Sequence, residues 1–405
     1  MIKRYIKHLP KIFRPIMTLS YLLFWFFPRK KKRWVFGSGV GNNFSDNAKY
    51  LFLYSSKRFE VDSYWISANI QLVKNLQDLG LQACYKYSFK GLWISLSAKV
   101  YIYDSRINGI NHWTSAGAFK VNLWHGSPLK TIDRDVTLVK NMFYIGNHTF
   151  GLHRYWVRFL NPECFVTPNL MIATSEKIKR YFMSAFGINN IEVTGYPRND
   201  IIKNPNLYSK YLGFEQKIIT SMTTEKKILY TPTFRDTDCF NRETPIEWER
   251  LNDLLKENNT TFLIKLHRND YSVVLKENYS NIRLLDNKSD MYPLFAIVDL
   301  LITDYSSIFF DFLLTNKPIL FYPYDKDTYL TQDRSMYDDY DSVTPGHKAY
   351  NFEELYNKIE LFFSDPEVLK STNLEYDKIK DLYNKYQDDM SSERTFRKII
   401  FNTIK

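Results

Sequence analysis

The sequence predicts an α/β protein with two doubly wound parallel-sheet domains that face each other across a central cleft. Three observations carry this prediction. The chain has 405 residues, more than one ordinary domain needs. Short apolar runs typical of buried strands alternate with amphipathic helical patterns. A boundary near residues 200–225 separates two such series, and alternation within each favours parallel strands joined by crossover helices.

Composition supports a globular, cationic protein. Hydrophobic residues make up 44% of the chain and charged residues 24%, while the formal net charge is +11. This charge favours an anionic partner, such as nucleic acid, an acidic membrane surface or a phosphate-rich substrate. The three cysteines, Cys84, Cys164 and Cys239, lie far apart and follow no zinc or disulfide spacing, which fits a reducing cytoplasm.

Residues 1–33 form a basic and apolar N-terminal segment. An apolar run from residue 16 to residue 27 lies between basic flanks and ends at Pro28. A spanning helix needs about 20 apolar residues, so this run is too short to cross a bilayer. We predict an amphipathic, membrane-associating segment whose basic residues meet anionic headgroups. Those basic residues are Lys30, Lys31, Lys32 and Arg33. The alternative is a helix packed on its own domain.

The first domain is predicted over residues 34–215. RWVFG is a strand, SDNAKYLFLY a helix, EVDSYWIS a strand and NIQLVKNLQDLG a helix that a glycine ends. KVYIYDS, FKVNLWHG and NLMIATSE follow as strands, then EKIKRYFMSAFG as a helix and IEVTGYPRND as a strand and turn. GSGVG departs from the dinucleotide spacing G-x-G-x-x-G and indicates a plain strand-to-helix turn.

The second domain is predicted over residues 216–405. KKILYTPTFRD is a strand with a polar turn, EWERLNDLLKENN a helix and TTFLIKLHRND a strand with a basic turn. DLLITDYSSIFFDFLLTNKPILFYPYD contains a strand, turn, helix and strand, and NFEELYNKIELFFSD is a helix with an asparagine cap.

Polar residues follow the predicted strands, and in doubly wound sheets ligands bind beyond the carboxyl ends of the strands. In the first domain, NLWHGSPLK places His125, Gly126, Ser127 and Lys130 at such an end. His267 closes a strand of the second domain in the same way. A lone histidine is usually structural, but two at these positions favour a base and an acid that bracket a reacting phosphorus.

The second domain also offers candidates for binding phosphate. Ser306 and Ser307 open a predicted helix, where backbone N–H groups and hydroxyls favour an anion. Asp311 follows Ser307 by one turn and is predicted to accept hydrogen bonds from ribose hydroxyls. The alternative is that Asp304 and Ser306 merely cap the helix.

Two arginines stand just beyond two strands of the second domain. Arg235 lies in PTFRD, together with Thr233, and Arg268 lies in KLHRND. Arginine grips phosphate with two hydrogen bonds, so a pair at parallel strand ends favours a pyrophosphate site over ordinary surface charge.

Together these runs resemble the CDP-glycerol:poly(glycerophosphate) glycerophosphotransferase family of teichoic acid and capsule synthesis. The matching runs are SDNAKYLFLY, LWHGSPLK, VTGYPRND, ILYTPTFRD, IKLHRND and ITDYSSIFFDFLLTNKPILFYPYD, within residues 34–365. The resemblance implies a GT-B-like fold, a peripheral enzyme on the cytoplasmic face of the membrane, His125 as base and Ser306 and Ser307 as donor-phosphate residues. HGSPLKTID departs from the more usual HGTPLKKIG, since Asp133 replaces a glycine.

The predicted reaction transfers a polyol phosphate, most simply glycerol phosphate, from CDP-glycerol or CDP-ribitol to a hydroxyl of a lipid-linked acceptor or growing polymer. His125 takes the acceptor proton, His267 acts at the donor phosphates, and Gly126, Ser127 and Lys130 lie on the acceptor side. Thr233, Arg235, Arg268, Ser306, Ser307 and Asp311 hold the CDP group. No cofactor or metal is predicted.

Three alternatives remain open at this point. A GT-B glycosyltransferase using a nucleotide-activated sugar would need the same fold and phosphate site. A nucleic-acid-binding protein would suit the positive charge, although the aromatic residues fall in apolar runs and no RNA-binding motif appears, so no nucleic-acid partner is predicted. A membrane-bound scaffold would not require the intact histidines and the DYSS run.

Overall fold

The computed structural model describes residues 14–137, 142–212, 219, 221–222, 224–233, 245–266, 278–286, 290–332, 335–369 and 373–403. The chain separates into two compact units. The first comprises Met1–His125, Lys140–Asp200 and Met390–Lys405, and the second Gly126–Val139 and Ile201–Asp389. This division differs from the predicted boundaries in three segments, since residues 126–139 and 201–215 join the second unit and residues 390–405 join the first.

The first unit contains a parallel sheet of seven strands in the order β3-β2-β1-β4-β5-β6-β7. The strands are β1 (Lys30–Gly37), β2 (Asp62–Ser67), β3 (Ala83–Tyr85), β4 (Ala98–Tyr103), β5 (Phe119–Asn122), β6 (Leu170–Ala173) and β7 (Ile191–Val193). Its helices are α1 (Arg14–Phe24), α2 (Asp46–Ser55), α3 (Ile70–Asp78), α4 (Phe89–Ser97), α5 (Met142–His148), α6 (Leu152–Leu160) and α7 (Glu176–Phe186). Residues of β1 and β4, including Val35 and Tyr101, are fully buried in its core.

The second unit contains a parallel sheet of six strands in the order β10-β9-β8-β11-β12-β13. The strands are β8 (Lys226–Thr231), β9 (Thr260–Ile264), β10 (Ile282–Leu284), β11 (Leu300–Thr303), β12 (Ile319–Phe321) and β13 (His347–Lys348). The remaining helices are α8 (Asn199–Lys203), α9 (Trp248–Glu257), α10 (Ile308–Phe312), α11 (Lys326–Gln332), α12 (Tyr340–Val343), α13 (Phe352–Ser364), α14 (Asn373–Tyr383) and α15 (Ser391–Thr403). Of these, α15 belongs to the first unit and α8 spans the division between the two.

The structure confirms the prediction of two parallel-sheet α/β domains. Local signals also act as expected: Gly187 ends α7 in the left-handed conformation, with φ 62°, and the Asn351 side chain caps α13 by accepting from the Glu354 N–H. Neither the glycine stop nor the asparagine cap predicts the strand order, because that order depends on which apolar strands pair over long separations in the chain.

Two sequence expectations need correction. Strand β5 ends at Asn122, so His125 lies three residues beyond the strand instead of closing it. Residues 30–33 begin β1, and Arg33 is buried with its Nη1 2.5 Å from Ser97 Oγ. Arg33 therefore does not face lipid headgroups, whereas Lys30, Lys31 and Lys32 are exposed.

Among the described residues, no helix has the length and apolar character needed to cross a membrane.

Candidate active site

Each sheet has a topological switch point, where the connections that follow two adjacent parallel strands leave in opposite directions across the sheet. In the first unit the switch point lies between β1 and β4, and in the second between β8 and β11. Ligands of doubly wound folds bind at the carboxyl ends of such strand pairs. The predicted polar turns after β8 and β11 fall at the second of these positions.

The same hydrogen-bonded contact, from a backbone N–H to an aspartate carboxylate, occurs at both switch points. Asp104 follows β4, and its Oδ1 accepts from the Gly39 N–H in the turn after β1, at 2.9 Å. Asp304 follows β11, and its carboxylate accepts from the Thr233 N–H after β8, at 2.9 and 3.1 Å. Both aspartates are buried. A carboxylate thus fixes the backbone of the neighbouring turn in each unit. For Asp104, no motif in the sequence signals this role.

His125 presents an exposed ring at this carboxyl edge of the first sheet. Its Nδ1 lies 3.3 Å from the Asp104 carbonyl oxygen, and its ring lies over Trp124 with centroids 4.4 Å apart. A carbonyl accepts only, so Nδ1 carries the hydrogen, and in the neutral imidazole Nε2 then carries the lone pair. This tautomer equips Nε2 to act as a general base.

The backbone that carries His125 is held by residues that the sequence analysis assigned no role. The buried Arg198 guanidinium donates from Nη1 to Asp46 Oδ1 at 2.6 Å and to the His125 carbonyl at 2.9 Å. The Asn47 amide donates to the Trp124 carbonyl at 2.8 Å. Asp46 and Asn47 belong to SDNAKY and Arg198 to YPRND, so the polar residues of these two runs meet beneath the HGS turn.

Trp124 adopts an uncommon backbone conformation, with φ 53°. For a residue with a bulky side chain, this left-handed region costs about 1–2 kcal/mol. The conformation is stabilised by the Asn47 bond and by packing of the indole on Phe186, with centroids 4.7 Å apart. Strain of this kind persists where surrounding contacts fix the backbone, and here it sets the direction of His125.

The segment after His125 packs within the second unit. Lys130 and Met336 pair as an antiparallel bridge, and Lys130 Nζ lies 3.1 Å from the Tyr329 hydroxyl. Ser127 is buried. Asp133 has φ 47°, a left-handed backbone conformation that glycine adopts more readily than other residues. The acceptor-side roles predicted for Gly126, Ser127 and Lys130 stay predictions.

Ser306 and Ser307 are half-exposed and lie three and four residues beyond the end of β11. Ser307 is the N-cap residue of α10, but its side chain makes no capping hydrogen bond. Helix α10 has only five residues, so its dipole is small and the hydroxyls themselves are the stronger donors here. Asp311 is almost fully buried, with the Tyr292 hydroxyl 3.3 Å from its Oδ2.

Three of the predicted residues, His267, Arg235 and Arg268, lie outside the described residues. Strand β9 ends at Ile264, three residues before His267, and Thr233 is the last described residue before Arg235. Their predicted roles stay predictions.

Two doubly wound units with polar turns at their switch points define a GT-B-like fold. The chain belongs to the CDP-glycerol:poly(glycerophosphate) glycerophosphotransferase family, whose model matches residues 19–401. The predicted family and enzyme class, transfer of a polyol phosphate from a CDP-activated donor, are therefore confirmed.

Known proteins support this assignment over nearly the whole chain. The chain is 26% identical over 405 residues to the teichoic acid glycerol-phosphate transferase of Staphylococcus aureus, with 97% of each chain covered. It is 29% identical over 352 residues to the teichoic acid poly(glycerol phosphate) polymerase of Bacillus spizizenii, covering 82% of this chain and 84% of the relative. The structure of the wall teichoic acid polymerase TagF matches with a TM-score of 0.76 at 22% identity, covering 99% of this chain and 97% of that one.

Proposed function

We propose that this protein transfers glycerol phosphate from CDP-glycerol to a hydroxyl of a lipid-linked acceptor or growing teichoic acid or capsule polymer. The observation that carries the proposal is the placement of His125 beyond β5, with Nδ1 directed to the Asp104 carbonyl. Glycerol phosphate is favoured as cargo because the four relatives that match more than three quarters of the chain are named for glycerol phosphate.

In the proposed reaction, the acceptor hydroxyl oxygen attacks the phosphorus that bears glycerol. The new P–O bond forms as the bond to the CMP phosphate breaks, and the electron pair leaves with CMP. His125 Nε2 takes the proton of the attacking hydroxyl. Positioned proton transfer of this kind contributes about 10²–10⁴-fold to the rate.

The CDP group is proposed to bind through residues of the second unit. The Ser306 and Ser307 hydroxyls make no hydrogen bond to another described residue, which leaves their donors available to phosphate oxygens. The Asp304 carboxylate holds the Thr233 turn in place beside them. Arg235, Arg268 and His267 are proposed to neutralise the pyrophosphate, so that no divalent metal is needed.

The decisive experiment measures CMP release by the purified full chain with CDP-glycerol and, separately, CDP-ribitol, using a membrane lipid extract as acceptor. We expect release with CDP-glycerol that falls at least about 100-fold in His125→Ala and in His267→Ala. The control is His347→Ala, whose ring binds the Val368 carbonyl at the far end of the second sheet. CMP release only with CDP-ribitol would show that the transferred group is ribitol phosphate. A wild-type rate of CMP release by His125→Ala would refute His125 as the base. EDTA is expected to leave the rate unchanged.

We also propose that the protein is peripheral to the cytoplasmic face of the membrane. Helix α1 exposes an apolar face formed by Leu19, Leu22 and Leu23, which continues at Phe26, 86% exposed. Helix α6 exposes a second apolar face. The spacing i, i+3, i+4, i+7 places its four residues on one side of the helix: Leu152, Tyr155, Trp156 and Phe159. Two exposed apolar helix faces beside basic residues are typical of interfacial binding.

Membrane binding is tested by cosedimentation with phosphatidylcholine vesicles that do or do not contain phosphatidylglycerol. The double variant Leu22→Glu/Leu23→Glu and the single variant Trp156→Glu are expected to bind less. Phe59→Glu is the control, because Phe59 is 90% exposed but lies outside both helices. Vesicle binding equal to that of the wild type in all variants would show that neither helix contributes to the proposed membrane interface.

A further inference from the structure

A cavity of about 530 Å³ opens at the amino ends of β4 and β5. This edge of the first sheet is opposite to the carboxyl edge that carries His125, so the cavity is not part of the candidate active site. Its polar lining includes Lys99, Lys120 and His112, and no acidic residue is among the described residues that line it.

Lys120 places a poorly compensated positive charge in this cavity. Its side chain is buried, with the residue 7% exposed, and its ammonium donates to the Ala118 carbonyl at 3.2 Å. An ammonium has three hydrogens to donate, and in the part of the chain that the structure describes no carboxylate forms an ion pair with it. Burial, with a contribution from the nearby Arg29 cation, lowers the pKa of Lys120 to about 8.

Arg29 does not relieve this excess of charge. Its guanidinium donates to the carbonyl oxygens of Ala98, Thr114 and Ala116. These are neutral acceptors, so two cations lie near each other in a partly desolvated region without a described counter-charge. Buried charges in proteins are normally paired, and an anion in the cavity would supply the missing partner.

The other side of the cavity is aromatic and connects to the N-terminal helix. Tyr21 stacks on His112, with centroids 4.9 Å apart and ring planes 9° apart. Trp25 and Phe165 also line the cavity, and Trp25 is 58% exposed. Gly117, with φ 70°, lets this wall approach, because a Cβ there would lie 2.8 Å from the Trp25 carbonyl oxygen.

We propose that this cavity binds the phosphate headgroup of an anionic lipid, with Lys120 and Lys99 on the phosphate and Trp25 and Phe165 along the first carbons of the acyl chains. The inference rests on the proposed membrane association. A lipid fits better than a soluble anion because the Trp25 wall continues into the exposed apolar face of α1, so a ligand with a charged head and an apolar tail meets both surfaces.

The test measures binding to the full chain by titration calorimetry with dihexanoylphosphatidic acid, kept below its critical micelle concentration. Dihexanoylphosphatidylcholine and inorganic phosphate are the comparison probes. We expect phosphatidic acid to bind most tightly and Lys120→Met to weaken that binding at least about tenfold, the loss of one charge-assisted contact. Trp25→Ser, at an exposed position, is expected to weaken phosphatidic acid binding and to leave binding of inorganic phosphate unchanged.

Lys86→Met is the matched control. Like Lys120, Lys86 belongs to the first unit and burial lowers its pKa to about 8. Unlike Lys120, it is only partly buried, follows the carboxyl end of β3 and donates to the Asn108 carbonyl at 2.7 Å. Equal phosphatidic acid affinities of wild type and Lys120→Met would overturn the site, and phosphate binding as tightly as phosphatidic acid would overturn the lipid assignment.

CMP release to a water-soluble acceptor is measured in parallel. Normal release without lipid binding rejects the cavity proposal alone, and absent release with lipid binding rejects the proposed reaction alone.

Discussion

The contact between Asp46 and Arg198 gives a sharp test of how the HGS turn is held. The Arg198 side chain is 1% exposed and the Asp46 side chain 15% exposed, with Nη1 and Oδ1 2.6 Å apart. We consider Asp46→Asn, because asparagine tolerates the left-handed backbone of Asp46, with φ 65°. The substitution therefore removes the charge and keeps the backbone geometry and one hydrogen-bond acceptor.

The expected loss of unfolding free energy is about 2–3 kcal/mol. Removing one partner of a buried ion pair costs about 3–5 kcal/mol, and we lower this range because the amide oxygen still accepts from Arg198 and Asp46 is partly exposed. The control is Glu192→Gln, which removes the more exposed Glu192–Lys398 pair, 2.9 Å apart. That change is expected to cost less than about 1 kcal/mol.

The same variant is expected to lower kcat for CMP release about 10–100-fold, because Arg198 also donates to the His125 carbonyl and small displacements of a catalytic group are costly. The KM for CDP-glycerol should change little. Urea unfolding and steady-state kinetics on the same preparations check both values. Wild-type stability and kcat in Asp46→Asn would refute the argument that this pair orients His125.

Three further predictions concern other buried contacts. Asp304→Asn is expected to cost about 2–3 kcal/mol and to raise the KM for CDP-glycerol, because the carboxylate accepts from the N–H groups of Thr233 and Tyr305; urea unfolding and kinetics measure both. Burial raises the pKa of Asp200 to about 6 from 3.8, so the folded state binds the proton more tightly than the unfolded state, and the free energy of unfolding should fall as pH rises from 4 to 6. The slope of unfolding free energy against pH should be smaller in Asp200→Asn, and an unchanged slope would contradict the prediction. Gly37→Ala should lower the free energy of unfolding in urea by about 3 kcal/mol, since its Cβ would lie 2.5 Å from the Gly109 carbonyl oxygen. A near-neutral effect would contradict the close approach.

The sequence by itself determined the alternation of strands and helices, the two-domain organisation, the polar turns and the family. These features depend on local patterns: apolar runs, glycine stops, an asparagine cap and short motifs such as HGSPLK and TDYSS. Each is set by the propensities of a few neighbouring residues, which is why α7, α13 and β11 fall where their patterns place them.

Only the tertiary structure decided which distant residues meet. Asp46 and Arg198 lie 152 positions apart, and Asp304 and Thr233 lie 71 apart, yet each pair forms one hydrogen-bonded contact. The local sequence of SDNAKY or YPRND does not predict that their polar side chains support His125. The strand order brings these side chains together. The buried positions of Arg33 and Lys120 were hidden for the same reason: burial of a charged side chain depends on what the rest of the fold packs around it.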